Sequence, residues 1–295
     1  MRANHTVMRA LTPAFAATIA VAIALLPFGG AAGPLTGGGA VASLASMVAP
    51  VTGVTMSVVP APLGSPTFHS SESNNWSGYD QGYLTQNTDF TSISATWAVP
   101  TATQHSAGQA ESSATWIGIG GGCLDTTCSS TDSTLIQAGT EQDVAADGTA
   151  SYSAWWEAVP APSVSTPVPV HPGDIIHCSI GQVAPEIWSI TLTDTSDGQG
   201  FTQTLPYSSS YLTAEWIEEA PLVLGTSQAG QSTLPNLSTV TFSAATVNGQ
   251  NPGFVPAEEI DLVGAAGELM AVPSSPSTSG DAFNDCTYAS PCPAP

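Results

Sequence analysis

Basic residues are almost missing from this 295-residue chain, which has no Lys and carries Arg only at positions 2 and 9. All 23 acids follow position 71, beginning with Glu72, so that part holds a formal charge of −23 against −21 for the whole chain. No salt bridge to Lys or Arg can form there. The deficit excludes nucleic acid and anionic membranes as partners, because both recruit cations. It also makes the fold repel itself at neutral pH, with relief as carboxylates take up protons near their usual value of about 4. The composition suits a protein that works in acid.

Other absences narrow the chemistry. No Cys-x-x-Cys or His-x-x-x-His occurs, and the six-residue gap between His171 and His177 reads as strand or surface rather than a metal site, so no metal and no other cofactor is expected. The Gly-x-Ser-x-Gly elbow of serine hydrolases is absent. Asp194-Thr195-Ser196 has one loop of the kind aspartic peptidases use in pairs, and without a second it reads as a hairpin turn. Long apolar runs are lacking too. Ala14 to Leu26 is uncharged but shorter than the roughly 20 residues of a membrane span. With Arg2 and Arg9 before it and Gly29-Gly30-Ala31-Ala32 after it, it reads as a cleavable export signal over 1–32. Export permits disulfides, and Cys123 with Cys128 and Cys286 with Cys292 could each close a small loop. Cys178 is left over, as a buried free thiol. A secreted, extracellular monomer in an acidic medium is expected, with no stable membrane association once the signal is cleaved.

What is present is a succession of short β-prone runs. Residues 33–70, rich in Gly, Ala, Val, Ser and Pro and without charge, read as a linker or propeptide. From 71 to 272 come aromatic and β-branched stretches: Ile93 to Pro100, Ser112 to Ile119, Thr134 to Glu141, Ala150 to Val159, Asp174 to Val183, Ile187 to Thr193, Phe201 to Leu205, Thr213 to Glu219, Thr239 to Thr246, Glu259 to Leu262 and Leu269 to Val272. Asp147-Gly148, Asp197-Gly198 and Asn248-Gly249 mark turns. No sustained helical period appears, so the fold class is all-β, an antiparallel β-sandwich of jelly-roll or concanavalin-like type. Residues 273–295, rich in Ser and Pro, read as a loosely packed C-terminal extension.

Two strands carry the candidate chemistry. In Leu135-Ile136-Gln137-Ala138-Gly139-Thr140-Glu141 an uncharged amide shares a face with Gly139 and Glu141. In Ala214-Glu215-Trp216-Ile217-Glu218-Glu219, Glu219 shares a face with Ile217 and Glu215. If these faces meet in a cleft, Glu219 handles a proton and Gln137 holds an oxyanion. A sugar-directed sandwich is the alternative, with Glu157 and Glu219 as the carboxyl pair and tryptophans as stacking platforms. Core packing is the ordinary role of those tryptophans.

The set Asn75-Trp76-Ser77-Gly78, Ala95-Thr96-Trp97-Ala98-Val99-Pro100, Trp116-Ile117-Gly118-Ile119-Gly120, Leu135-Ile136-Gln137-Ala138-Gly139, Tyr152-Ser153-Ala154-Trp155-Trp156-Glu157 and Ala214-Glu215-Trp216-Ile217-Glu218-Glu219 resembles, in order, the glutamic peptidases, or eqolisins. The resemblance implies a secreted, pepstatin-insensitive acid endopeptidase acting on polypeptides, with a two-sheet β-sandwich and a Gln/Glu dyad. By motif the dyad falls on Gln137 and Glu219, a cleft Trp on Trp116, and supporting carboxylates on Glu141 and Glu157. Two positions depart from the pattern: Ser153 stands where some members have Asp, and Glu218 where an apolar residue is usual. Since Glu218 and Glu219 point to opposite faces, a one-residue slip would exchange them. The residues fit the chemistry without the name. An ordinary Glu near about 4.3 can act as a base in acid where His would be protonated, and a Gln NH2 can donate to an oxyanion at any pH.

Overall fold

The structure, a computed structural model, describes residues 58–59, 71–82, 87–125, 130–224, 229–264 and 266–295. The expected signal segment and nearly all of the expected propeptide lie outside these residues. Thirteen main strands carry the architecture. They are β1 (Trp76–Gln81), β2 (Ser92–Ala98), β3 (Glu111–Gly120), β4 (Leu135–Val144), β5 (Ala150–Ala158), β6 (Ile175–Ala184), β7 (Ile187–Asp194), β8 (Gly200–Pro206), β9 (Ala214–Glu219), β10 (Val240–Val247), β11 (Glu259–Val263), β12 (Leu269–Pro273) and β13 (Phe283–Thr287). Among the described residues the only helical element is the 3-10 turn Pro256–Glu258.

One sheet runs β8-β7-β6-β2-β10, and the other β10-β13-β12-β11-β1-β9-β3-β4-β5, with antiparallel pairing between all these neighbours. Strand β10 belongs to both: Val240–Phe242 pair with β13, and after an irregularity between Ser243 and Thr246 the strand pairs with β2. The core between the sheets takes Trp97, Ile176, Ile180, Trp188 and Ile190 from the first and Tyr79, Ile117, Ile119, Ile136 and Trp216 from the second. Each such side chain, removed from water, contributes about 1.5–3 kcal/mol before entropic costs.

Burial patterns separate the two sheets. Strands β2 and β7 alternate half-buried and buried residues, as expected for a sheet with one solvated face. Strands β1, β3 and β9 are buried at every position, so the outer face of the second sheet is covered as well. That second covered face carries the candidate site.

The strand boundaries match the sequence reading to within a few residues, but the C-terminal stretch differs. Residues 273–295 are not a loose extension: β13 lies between β10 and β12 in the second sheet, with Phe283 fully buried against Tyr79, Phe242 and Phe254. The Ser/Pro composition misled because a strand of five residues, Phe-Asn-Asp-Cys-Thr, offers too little alternation to stand out. Cys286 and Cys292 form a disulfide. Cys123 is also disulfide-bonded, while Cys128 lies outside the described residues. Cys178 is a free thiol, fully buried, and burial pushes its titration far up, so it is inert as a nucleophile.

Burial also holds protons on acids. It pushes Asp80, Glu258 and Asp285 up to about 7 and Glu218 up to about 8. Their unfolded values lie near about 4, so the native state binds more protons than the unfolded chain between about pH 4 and 8. Stability from these groups is complete in acid and lost as pH rises through that window. The melting temperature should therefore fall from pH 4 to pH 8, and a scanning-calorimetry series showing a steady rise would contradict this account.

Candidate active site

The covered outer face of the second sheet is a grid fixed by register. Across β1, β9, β3, β4 and β5, one row reads Trp76, Glu219, Ala114, Glu141, Ser153. The next reads Gly78, Ile217, Trp116, Gly139, Trp155, and the third Asp80, Glu215, Gly118, Gln137, Glu157. Gln137 and Glu219 thus share one face, on strands flanking β3, and are 1 % and 3 % exposed.

Trp116 stands in the row between them. Its indole N–H donates to Glu219 Oε2 at 2.8 Å. The far edge of the same ring lies over Gly118, where an added Cβ would stand 2.9 Å from Trp116 Cζ3 and 3.3 Å from Gln137 Cβ. A Cβ at Gly139 would meet Thr115 O at 2.2 Å and Trp116 Cβ at 2.5 Å. The space above Gly139, between Gln137 and Glu141, is therefore taken by the tryptophan. Trp76 meets Trp116 edge-on with ring centroids 4.9 Å apart, and Leu135, Trp155, Ile217, Cys123 and Ile260 complete an apolar surround.

Gln137 Nε2 donates to Glu157 Oε2 at 2.7 Å, which fixes the amide. Gln137 Oε1 and Glu219 Oε1 accept no hydrogen bond from the protein. Burial pushes the Glu219 carboxyl up to about 8; the Trp116 N–H opposes the rise, and the charge of Glu157 adds to it. This corrects the expectation of an ordinary Glu near about 4.3. The expectation failed because the sequence does not show that Glu219 is enclosed by Trp76, Trp116 and the sheet.

Of the two acids expected to support the site, Glu157 bonds to Gln137, while Glu141 bonds to neither Gln137 nor Glu219. Glu141 lies on the same face, but its interactions are with Ser153 and Asp143, and burial followed by the Asp143 charge pushes it up to about 7. Glu218 faces the core instead. It accepts from Thr115 Oγ1 at 2.6 Å, and Ser77, its register partner on β1, donates to Asp285 Oδ2 at 2.7 Å. The strand register thus sets Glu219, not Glu218, on the site face. Sequence reasoning did not place Trp76 at the site, although its motif, Asn75-Trp76, was visible. It also named Glu215 only as a face-mate of Glu219. His171 pairs with Asp174 on the surface, and no His/Cys/Asp/Glu group suited to a metal occurs among the described residues.

Comparisons with known proteins identify the family and the fold. The Peptidase A4 family matches residues 74–288. Among solved structures, scytalido-glutamic peptidase with a peptide-based transition state analog is similar at a TM-score of 0.57 and 22% identity, over 72% of this chain and 98% of that one. SCP-B of the eqolisin family, in complex with the tripeptide Ala-Ile-His, gives a TM-score of 0.54 and 20% identity over the same shares. Aspergilloglutamic peptidase from Aspergillus niger is 23% identical over 60% of this chain and 99% of that one, with a TM-score of 0.47. No curated protein matches. With the family matched across all the strands that build the grid, the chain belongs to the Peptidase A4 family, the glutamic peptidases or eqolisins, and is a glutamic-type endopeptidase with a β-sandwich fold.

Proposed function

We propose that this enzyme is a secreted acid endopeptidase that hydrolyses peptide bonds by direct attack of water. In this reading Glu219 is the general base and then the general acid, and Gln137 is the oxyanion stabiliser. The observation that carries it is the shared face on which Trp116 holds Glu219 while Glu157 holds Gln137. Glu219 takes a proton from water as the oxygen attacks the carbonyl carbon, and returns it to the leaving nitrogen as the C–N bond breaks. The second N–H of Gln137 meets the developing oxyanion, already oriented by Glu157, so little reorganisation is needed. No covalent intermediate and no cofactor enters this scheme. The peptide-based ligands of the two similar structures support a polypeptide substrate.

The raised Glu219 value has a cost for this chemistry. With titration at about 8, only about 10⁻³ of the enzyme holds an ionised base at pH 5. A more basic carboxylate is also a stronger proton acceptor, which offsets part of that loss. On the acid side kcat/KM should therefore climb with pH, until ionisation of the other buried acids undoes the fold near neutrality. A denatured protein substrate, digested from about pH 2 to 8, a range spanning ordinary and raised Glu values, tests the reading. Internal cleavage confined to the acidic part is expected. Cleavage of polysaccharide with no cleavage of protein would end the peptidase assignment.

The uncharged stretch ahead of Ser71 supports a zymogen. Acidifying protein secreted at neutral pH should remove residues up to about 70, as read by intact mass. A Glu219→Gln variant that trims itself equally would assign the cut to another protease.

A further inference from the structure

A pair of acids on the site face takes no part in the chemistry above. Asp80 and Glu215 stand directly opposite each other on β1 and β9, in the same row as Gln137, and are 1 % and 0 % exposed. Asp80 Oδ2 accepts the Cys123 N–H at 2.7 Å. Asp80 Oδ1 receives no hydrogen bond, and the donors that bear on Glu215, the Thr213 hydroxyl and the Gly122 N–H, only partly offset its burial. The titratable groups facing the pair are Asp132 and Glu258, and both are acids. Asp132 is already engaged by Thr134 N, Thr134 Oγ1 and Ser210 Oγ, and Glu258 by Gln81 Nε2. Asp80 Oδ1 is thus a buried acceptor without a donor, and a protonated Glu215 opposite it can supply one.

The pair lies under a turn that walls the site. Gly122 rests on Asp80: a Cβ there would stand 2.4 Å from Asp80 Oδ1. Gly122 N donates to Thr213 Oγ1 and Gly120 N to Thr213 O, which ties the turn to the start of β9. Gly121, with φ +94°, presses the other way, its missing Cβ 3.1 Å from Trp76 Cη2 and 3.2 Å from Leu135 Cδ2. Trp76 in turn packs on Trp116, which holds Glu219.

We infer that Asp80 and Glu215 share a proton and act as a positioning pair, pinning the Gly121–Cys123 turn against Trp76 so that Trp116 holds Glu219 in place. In acid, the neutral pair joins β1 to β9 by a carboxyl–carboxyl hydrogen bond and leaves Asp80 Oδ2 to the turn. Burial raises both acids, Asp80 to about 7, so the arrangement survives through the acid range. As pH rises further, two like charges with no cation to oppose them part, and the turn loses its anchor. The inference rests on Glu219 as the reacting end of the site, so its test must read the turn separately from catalysis.

Amide hydrogen exchange at Cys123 provides that reading. Asn is isosteric with neutral Asp and keeps the acceptor. Asp80→Asn should fold in acid, keep most of the activity and protect the Cys123 amide to a pH about one unit higher than the parent. Asp80→Ala should lose Cys123 protection and lower kcat about tenfold to 10²-fold, the scale of a small misplacement, with KM less affected. Glu219→Gln should leave Cys123 protection at the parent level, whatever it does to activity. Equal Cys123 protection in Asp80→Ala and the parent would overturn the inference. So would an Asp80→Asn protein that fails to fold in acid or that follows the parent's pH dependence. If Asp80→Ala cannot fold, the Asp80→Asn pH shift alone decides.

Discussion

Replacing Glu219 by Gln should reduce peptide cleavage by at least ~10²-fold, the lower range for a general base, while the protein melts as before in acid. The argument for an intact fold is specific. In acid Glu219 is protonated, its Oε2 receives the Trp116 Nε1 hydrogen bond, and the Trp76 and Asn75 side chains also bear on the carboxyl. Gln presents the same carbonyl oxygen to that indole and fills the same volume, so the wall of Trp76, Trp116 and Ile217 need not move. What is lost is the capacity to accept and return a proton. Glu218→Gln is the companion measurement, since that side chain lies in the core against Thr115 and should leave most of the activity in place. Full activity in Glu219→Gln would remove the mechanism proposed here. A dead Glu218→Gln beside an active Glu219→Gln would mean that β9 is out of register by one residue.

Gln137→Ala should lower kcat by about 10² to 10³, the range for removing one oxyanion donor. KM should change less, because the amide is asked to bind the tetrahedral state rather than the planar peptide. The substitution also removes the donor to Glu157 Oε2 at 2.7 Å, leaving that acid without its amide partner. Since the charge of Glu157 bears on Glu219, the pH profile should shift together with the fall in rate. A fall confined to KM would show that Gln137 binds substrate without stabilising the transition state.

Much of this site can be read from the sequence because period-two alternation is a strict geometric rule. Once Gln137 and Glu219 lie on strands, their face-mates Gly139, Glu141, Ile217 and Glu215 follow, and the separation of Glu218 from Glu219 follows as well. Strand pairing is not local, and that is where the reading stopped. Nothing in Asn75-Trp76 says that β1 pairs with β9 and brings Trp76 opposite Glu219, nor that Asp80 comes to face Glu215. The raised titration of Glu219 was hidden for the same reason, since enclosure depends on which strands become neighbours. The C-terminal strand was missed because its partners, β10 and β12, supply the hydrophobic context that its own five residues lack.

The position of that strand also governs when the enzyme can exist. Synthesis runs from residue 1 onward, and the second sheet has a gap between β10 and β12 until Phe283–Thr287 has been made. Up to then Phe242 and Tyr79 lack their contact with Phe283, and the sheet on which Glu219 and Gln137 are displayed has two unpaired edges in its middle. A growing chain therefore has no continuous second sheet before Phe283–Thr287 has been made and inserted between β10 and β12. The topology itself ties completion of the sheet that displays the candidate site to one of the latest-made strands of the matched fold.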